Sequence, residues 1–127
     1  MTIQILVVDD SKLARMAVSR LLAAAYPDWT RIEAANADEA LALLKEPGAD
    51  IALVDFNMPG RSGIELAIEF RSIRPDMPVA VISANHQQEV VERTRAAGAT
   101  FLAKPLDDSA FREFLHRAAQ LVGASRS

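Results

Sequence analysis

The chain has 127 residues, which is the size of one ordinary domain and leaves little room for a second. Half of its residues are hydrophobic and 24% are charged, and this balance excludes an intrinsically disordered chain. The net charge of −3 argues against a domain that coats nucleic acid, and the lack of cysteine excludes disulfides, thiolate zinc sites and cysteine nucleophiles.

The ends of the chain and its apolar runs predict a cytoplasmic protein without membrane contact. Met1 to Gln4 lacks the basic region of a signal peptide. The longest uninterrupted apolar run, Leu21 to Tyr26, is far shorter than the ~20 residues that span a bilayer. We expect one domain over residues 1–122 and a flexible C-terminal tail over residues 123–127.

The first third of the chain predicts two strands with a helix between them. Ile3 to Val8 is almost continuously apolar, which is typical of a strand buried on both faces of a parallel sheet. A helix follows and ends near Pro27. Arg31 to Ala35 then predicts an edge strand. The predicted buried face of the helix consists of Leu13, Met16, Ala17, Leu21 and Ala24.

The middle third predicts two helices on either side of a buried strand. Asn36 and Glu39 form a capping box at the start of the second helix, and Ser62 and Glu65 form one at the start of the third. Ile51 to Val54 is the strand between these helices. The predicted buried side chains of the two helices are Ala37, Ala40, Leu41 and Leu44, and Ile64, Ala67 and Ile68, respectively.

The last third predicts two more strands and two more helices. The strands are Val79 to Ile82 and Thr100 to Ala103. Asn85 is the predicted cap of the fourth helix, and Asp107 or Asp108 that of the fifth. The predicted buried side chains of these helices are Val90, Thr94 and Ala97, and Phe111, Phe114, Leu115, Ala118 and Val122, respectively.

Strands and helices therefore alternate five times along the chain. Such alternation predicts an α/β fold in which helices cover both faces of a five-stranded parallel sheet through right-handed crossovers. Ligands of such sheets bind beyond the carboxyl ends of the strands. The residues that follow each strand are thus the candidates for a functional site.

Chemically reactive side chains follow four of the five predicted strands. They are Asp9 and Asp10 after the first strand, Asp55 after the third, Ser83 after the fourth and Lys104 after the fifth. Each alone is more often a helix cap or a surface residue, but their joint occurrence favours a shared site. Three carboxylates without histidine or cysteine favour a hard cation, and Mg²⁺ is the expected one. The pattern predicts a site that receives a phosphoryl group beside a metal.

Four segments of the chain together resemble the receiver domain of two-component response regulators. They are Val7 to Ser11, Leu53 to Gly60, Val81 to Ala84 and Phe101 to Pro105. The resemblance extends over about residues 3–122. It implies a flavodoxin-like, doubly wound (βα)5 sandwich with the strand order 2-1-3-4-5.

The resemblance also implies a role for each of the acidic residues. Asp55 matches the phosphoacceptor of the family. Asp9 and Asp10 match the acidic pair that holds Mg²⁺, together with Asp55 and the backbone carbonyl of Asn57. The cofactor implied is Mg²⁺.

The remaining matches concern phosphate binding and switching. Lys104 matches the phosphate-binding lysine, and its peptide bond to Pro105 is cis in this family. Ser83 matches the switch hydroxyl, and Phe101 matches the aromatic switch position. The resemblance therefore implies that phosphorylation moves Ser83 inward and lets the Phe101 ring rotate into the space that is vacated.

The implied partners are proteins. A sensor histidine kinase or a phosphotransfer protein would donate the phosphoryl group, and the face formed by the fourth helix, fifth strand and fifth helix would bind a downstream protein. We expect a monomer or weak dimer without direct nucleic-acid binding. It would not be an enzyme, beyond catalysing its own phosphorylation and dephosphorylation.

Several alternatives remain open from the sequence. The chain ends without an output domain, which favours a stand-alone switch, but a receiver fragment of a longer regulator fits as well. A phosphohydrolase with an aspartate nucleophile would need a second aspartate at the position of Asn57. A nucleotide carrier would need a Ser/Thr/Gly-rich loop after the first strand, and a binding module independent of phosphate would not need the complete acceptor set.

Overall fold

Five strands and five helices alternate along residues 2–126, the part of the chain that the computed structural model describes. In chain order they are β1 (Gln4–Val8), α1 (Lys12–Ala25), β2 (Thr30–Ala34), α2 (Ala37–Lys45), β3 (Ile51–Asp55), α3 (Gly63–Ile73), β4 (Val79–Ser83), α4 (Gln88–Ala96), β5 (Thr100–Ala103) and α5 (Asp108–Arg126). Each end of each strand lies within one residue of its predicted position.

All five strands are parallel and lie in the order β2-β1-β3-β4-β5. This arrangement confirms the predicted α/β fold and strand order. From the central pair β1 and β3 the strand order runs in opposite directions, so the crevice beyond their carboxyl ends is the topological switch point of the sheet. In register, Val8 lies beside Val54 and Asp55 lies beside Ile82.

Alternate residues of the central strands face two separate hydrophobic layers. Ile5 and Val7 pack with Leu53 in the layer that contains buried residues of α1 and α5. Leu6 and Val8 pack in the other layer, with buried residues of α2, α3 and α4. Both faces of β1 and β3 are therefore buried, which explains why their sequences are continuously apolar rather than alternating.

Helix α1 presents a different face to the core from the predicted one. Its buried residues are Val18 and Leu22. The helix carries apolar residues around most of its circumference, so the pattern alone fits more than one rotation. Arg15 lies on the inner side, where hydrogen bonds tie it to β2 and to the loop after β1. Much of the predicted face is instead exposed, at Leu13 (79%), Met16 (38%), Ala17 and Ala24.

Helix α3 buries Ile64 and Ala67 as predicted, but Ile68 is 53% exposed. Leu66 and Phe70 are buried as well. The helix contacts both β3 and β4, so its buried arc is broad and extends toward Leu66 and Phe70. Ile68 lies just beyond the edge of that arc.

The start of α4 also differs from the prediction. The helix begins at Gln88, and its N-cap residue Gln87 makes no side-chain capping bond. The predicted cap, Asn85, instead accepts a hydrogen bond from the Gln87 N–H at 3.0 Å and forms a turn two residues before the helix. The first turn of α4 is thus capped less well than the first turns of α1, α2 and α3, which Ser11, Asn36 and Ser62 cap.

Helix α5 begins after Asp107, whose carbonyl accepts from the Phe111 N–H at 2.9 Å. The helix continues through Gly123 to Arg126, and Ser127 lies outside the described residues. One glycine costs a helix only about 1 kcal/mol relative to alanine, too little to end a helix that is anchored by the buried Val122. The domain limit at residue 122 and the flexibility of the tail stay predictions.

Within residues 2–126, no helix is both long and apolar enough to cross a bilayer.

Candidate functional site

Three carboxylates meet at the carboxyl edge of the sheet, beyond β1 and β3. One oxygen from each of Asp9, Asp10 and Asp55 lies within 4.8 Å of the other two. Asp9 and Asp55 are buried, whereas Asp10 is exposed. The register of the sheet causes this convergence, because Val8 pairs with Val54 and each is followed by an aspartate.

Three hydrogen bonds hold Asp9 in place although it follows the end of its strand. Its N–H donates to the carbonyl of Ala34 in β2 at 3.1 Å. Its Oδ1 accepts from the N–H of Ser11 at 2.9 Å, and its carbonyl oxygen accepts from Nη1 of Arg15 at 2.6 Å. Both the backbone and the carboxylate of Asp9 are therefore fixed before any ligand arrives.

The pKa of the Asp9 carboxyl is raised above its ordinary value, chiefly because burial disfavours the charged form. The hydrogen bond from Ser11 lowers this pKa and the charge of Asp55 raises it. The ammonium of Lys104 lowers it, and the charge of Asp10 raises it. The ionised cluster is thus electrostatically unfavourable by itself, and a bound cation would relieve that cost.

Lys104 reaches the carboxylates from the residue after β5. Its Nζ lies 2.6 Å from Oδ1 of Asp55 and 3.9 Å from Oδ2 of Asp9. The Asp55 side chain is 7% exposed and that of Lys104 is 37% exposed, so the pair lies at the boundary between protein and solvent. The peptide bond between Lys104 and Pro105 is cis. The ammonium is therefore in direct contact with the Asp55 carboxylate.

The donor atoms of this cluster suit Mg²⁺. All three side chains offer oxygen, which hard divalent cations prefer. Mg²⁺ keeps several waters when it binds to proteins, and the exposure of Asp10 gives such waters access. Asn57 lies exposed in the loop between β3 and α3, two residues after Asp55, and its carbonyl remains an expected additional ligand.

Ser83 ends β4 and is 2% exposed. Its hydroxyl accepts from the N–H of Asn85 at 2.9 Å and donates to the carbonyl of Asn85 at 3.3 Å. Because Asp55 pairs with Ile82 on the neighbouring strand, Ser83 lies one residue beyond the level of Asp55. Ser83 thus lies at the same edge of the sheet as the acidic cluster, and its hydroxyl is bonded to its own loop.

Phe101 in β5 is half-buried and contacts the ring of His86. The two ring centroids are 6.2 Å apart and the rings meet edge to face at 86°. The Nε2 atom of His86 also lies 3.2 Å from the carbonyl oxygen of Lys104. The loop before α4 is therefore attached to β5 through His86, a contact that was not predicted from the sequence.

Comparison with known proteins identifies the family. Residues 5–116 match the response regulator receiver domain. The chain belongs to this family. The chemotaxis protein CheY of Thermotoga maritima is 33% identical over 115 residues, which cover 90% of this receiver and 95% of that protein. The solved structure of chemotaxis protein CheY4 of Vibrio cholerae is 29% identical and has a TM-score of 0.82, covering 93% of this receiver and 99% of that chain.

Other relatives are longer than this receiver. The nitrate/nitrite response regulator NarL of Escherichia coli (strain K12) is 32% identical over 117 residues, which cover 91% of this receiver but 54% of NarL. The receiver thus spans about half the length of several curated relatives that it matches. The same module occurs in relatives of its own length and in relatives about twice as long.

Gly63 is a residue of the receiver's site that sequence reasoning did not single out as necessary. It is the first residue of α3, is buried, and donates its N–H to the Phe56 carbonyl at 2.9 Å. A β carbon at this position would overlap the carbonyl oxygen of Asp55 and lie 2.8 Å from Cα of Phe56. Glycine therefore lets the start of α3 pack directly against the strand end that carries the candidate acceptor. The available signal was a glycine directly after the capping residue Ser62.

Arg15 is the second such residue of the receiver. In sequence it resembles an exposed arginine in the first half of a helix, yet its side chain is 14% exposed. It lies three and seven residues before Val18 and Leu22, which are the buried residues of α1. That spacing is the signal that could have placed Arg15 on the inner face.

Proposed function

We propose that this receiver is a phosphorylation-activated signalling switch and that Asp55 is its phosphoacceptor. The observation that carries the proposal is the contact between Asp55 and Lys104 beside Asp9 and Asp10. A buried carboxylate alone would be ordinary. A carboxylate flanked by ligands for a divalent cation and by an ammonium group is suited to receive a phosphoryl group.

The proposed reaction uses a phosphohistidine on a sensor histidine kinase or a phosphotransfer protein. A carboxylate oxygen of Asp55 attacks the phosphorus, and the O–P bond of an acyl phosphate forms as the N–P bond breaks. The imidazole leaves with the electron pair and takes up a proton. Such transfers depend mainly on positioning and charge stabilisation, and Lys104, 2.6 Å from Oδ1 of Asp55, is placed to neutralise a phosphoryl oxygen.

Asp9, Asp10, Asp55 and the carbonyl of Asn57 are the residues that would hold Mg²⁺. When bound, the ion neutralises charge on the acceptor and phosphoryl oxygens. Asp9 contributes a carboxylate whose orientation is fixed by the Ser11 N–H. Asp10, which is exposed, is suited to bind through water.

Ser83 and Phe101 are the residues that we propose to carry the change outward. A phosphoryl group on Asp55 is a charged acceptor, which binds a hydroxyl more strongly than the neutral carbonyl of Asn85 does. Ser83 would exchange partners only if the loop after β4 moved inward. That movement would separate His86 from Phe101 and open space for the Phe101 ring, shifting the population toward a second arrangement.

We propose that the face formed by α4, β5 and α5 binds the downstream protein. Helix α4 has two buried residues, Val90 and Thr94, and lacks a side-chain cap at its start. Helices α1 and α2 also have two buried residues each, but their first turns carry side-chain caps, so the uncapped first turn of α4 should cost less free energy to displace. Helix α4 directly follows the loop that contains Ser83, so a movement of that loop should displace α4 before the other helices.

The donor protein has a separate surface available beside the site. Leu13 and Met16, on the exposed side of α1, lie three and six residues after Asp10. An exposed apolar surface on the helix that follows the acidic pair suits a protein donor that must bring its phosphohistidine to Asp55. We therefore assign α1 to donor binding and α4 to output, so that different faces recognise the two proteins.

The family also supports proposals about the domain context, cellular location and oligomeric state of this receiver. A receiver of this length suits both a stand-alone regulator and the receiver part of a longer protein, because relatives of both kinds match it. We propose a cytoplasmic monomer or weak dimer with no direct nucleic-acid contact of its own. It would catalyse its own phosphorylation and dephosphorylation and no other reaction.

Incubation with acetyl phosphate and Mg²⁺, followed by intact-mass measurement, tests the proposed function. We expect a gain of one phosphoryl group per chain that hydroxylamine removes, as it does for acyl phosphates. Sustained release of phosphate from many small phosphate esters would instead favour a phosphohydrolase. A chain that gains no mass with or without Mg²⁺ would contradict the proposal.

The substitution Asp9→Asn is expected to raise stability without Mg²⁺ and to reduce the stabilisation that added Mg²⁺ gives. Because the pKa of Asp9 is raised in the folded state, stability falls as pH rises from the ordinary aspartate pKa through the raised one. At neutral pH the ionised carboxylate therefore destabilises the fold, and asparagine removes that cost while still accepting from Ser11. Thermal unfolding should show a higher Tm than wild type in EDTA and a smaller increase when Mg²⁺ is added.

The matched control for this measurement is Asp28→Asn. It removes the same charge from an exposed side chain two residues before β2, at the edge of the parallel sheet opposite the cluster, so its Tm should follow that of wild type in both conditions. If Asp9→Asn and wild type gain equally from Mg²⁺, Asp9 is not a ligand.

The substitution Ser83→Ala should leave phosphorylation largely intact and remove its effect on α4. The hydroxyl does not contact Lys104 or the acidic cluster in any hydrogen bond that the structure records, so loss of it should change labelling by acetyl phosphate less than about threefold. The measurement is the set of backbone amide shifts of residues 84–97 when beryllofluoride and Mg²⁺ are added. Wild type should shift there and Ser83→Ala should not; equal shifts in both proteins would show that the hydroxyl does not couple the site to α4.

A further inference from the structure

Arg15 joins three parts of the receiver through one side chain. It projects from the first turn of α1, and its Nη1 donates to the carbonyl oxygen of Asp9 at 2.6 Å. Its Nε donates to Oε1 of Glu33 in β2 at 2.9 Å. The planar guanidinium can make both bonds because its donors point in different, fixed directions.

The bond to Asp9 fixes more than one residue. The carbonyl of Asp9 and the nitrogen of Asp10 belong to the same planar peptide unit. Holding the carbonyl oxygen therefore sets the plane from which both aspartates extend their carboxylates. The N–H of Asp9 is held from the opposite side by Ala34, so the peptide before and the peptide after Asp9 are both anchored.

We propose that Arg15 is a positioning residue for the divalent-cation site, acting through the Asp9 carbonyl without touching the ion. The inference rests on the proposed function, since it presupposes that Asp9 and Asp10 hold Mg²⁺. Residues that orient metal ligands typically change metal affinity 10–100-fold when they are replaced. Because Arg15 acts on the backbone rather than on a ligand atom, we expect the lower end of that range, about tenfold.

The direction in which Mg²⁺ affinity changes when Arg15 is removed distinguishes a positioning role from a purely electrostatic one. Arg15 carries a positive charge close to the acidic cluster, and a cation repels a second cation. If charge alone mattered, removing Arg15 would tighten Mg²⁺ binding. If Arg15 positions the Asp9–Asp10 peptide, its removal weakens Mg²⁺ binding even though a repulsive charge has gone.

The test compares the Mg²⁺ dissociation constants of wild type, Arg15→Met and Glu33→Gln by titration of the full chain with MgCl₂, followed by backbone amide shifts. We expect Arg15→Met to raise the dissociation constant about tenfold. Glu33→Gln is the matched control: glutamine still accepts from Nε of Arg15, so its dissociation constant should stay within about twofold of wild type. A second readout is labelling by acetyl phosphate, in which Arg15→Met should need more Mg²⁺ for half the maximal rate but should approach the wild-type rate at saturation.

Arg15→Lys keeps the inference testable if Arg15→Met does not fold. It preserves the charge, but one ammonium on a shorter reach cannot reproduce the two divergent bonds, so it should also raise the dissociation constant. An unchanged or lower dissociation constant in a folded Arg15 variant overturns the positioning role. If wild type itself shows no saturable response to Mg²⁺, the proposed function fails rather than the assignment of Arg15 alone.

Discussion

Asp55→Asn is expected to gain no phosphoryl group under conditions in which wild type gains one per chain. The amide lacks the anionic oxygen that attacks phosphorus, and no acyl phosphate can form on it. The substitution should preserve the fold, because the amide has nearly the shape of the carboxylate and its oxygen can still accept from Nζ of Lys104. The measurement is intact mass after incubation with acetyl phosphate and Mg²⁺.

Two further variants make this result specific. Asp76→Asn removes an exposed carboxylate that precedes β4, away from the carboxyl edge of the sheet, and should label as wild type does. Asp9→Asn should label more slowly but reach a hydroxylamine-sensitive product, because the acceptor is still present. Labelling of Asp55→Asn to the wild-type extent would show that another residue is the acceptor.

Gly63→Ala is expected to lower the free energy of unfolding by about 3 kcal/mol, which is at the upper end of the usual cost of overpacking. The new β carbon would overlap the Asp55 carbonyl and lie 2.8 Å from Cα of Phe56. Both neighbours are backbone atoms, so no side-chain rotation can relieve the overlap. Either the start of α3 or the end of β3 must move, and the latter carries Asp55 with it. Urea unfolding measures the loss, and slower labelling by acetyl phosphate should accompany it.

Gly60→Ala is the matched control for Gly63→Ala. Gly60 lies in the loop before α3, three residues ahead of Gly63, with φ of 84°, and a β carbon there would meet no atom within 4 Å. Alanine at this position should cost about 1 kcal/mol through its left-handed backbone conformation alone. If Gly63→Ala is as stable as Gly60→Ala, the close approach of α3 to β3 does not constrain the fold.

The candidate site was predictable to the extent that it depends on strand ends. Asp9 and Lys104 follow strands, and Asp55 ends one, whose apolar runs are easily recognised, and a parallel sheet brings the carboxyl ends of its strands to one edge. The contact of Lys104 with Asp55 follows from that topology. The hydrogen bonds between the Ser83 hydroxyl and the Asn85 backbone could not be predicted in this way, because they depend on the conformation of a short loop rather than on the strand pattern.

The packing partner of Phe101 was likewise decided by tertiary structure. His86 precedes α4 and is exposed, and its ring meets Phe101 while its Nε2 approaches the Lys104 carbonyl. Nothing in the local sequence of either segment encodes this contact. It arises because β4 and β5 are neighbours in the sheet and their following loops emerge side by side.

By itself the sequence determined the alternation of strands and helices, the strand ends and the residue types placed there, because burial on both faces of a parallel sheet leaves a continuous apolar run in each central strand. The rotation of α1 and the close approach of α3 to β3 were decided only by the tertiary structure. Helix α1 is apolar around most of its circumference, and contacts of Arg15 with β2 and with the loop after β1 accompany the face that became buried. The need for Gly63 depends on the backbone of Asp55 and Phe56, and a steric limit between two elements becomes visible only when both are in place.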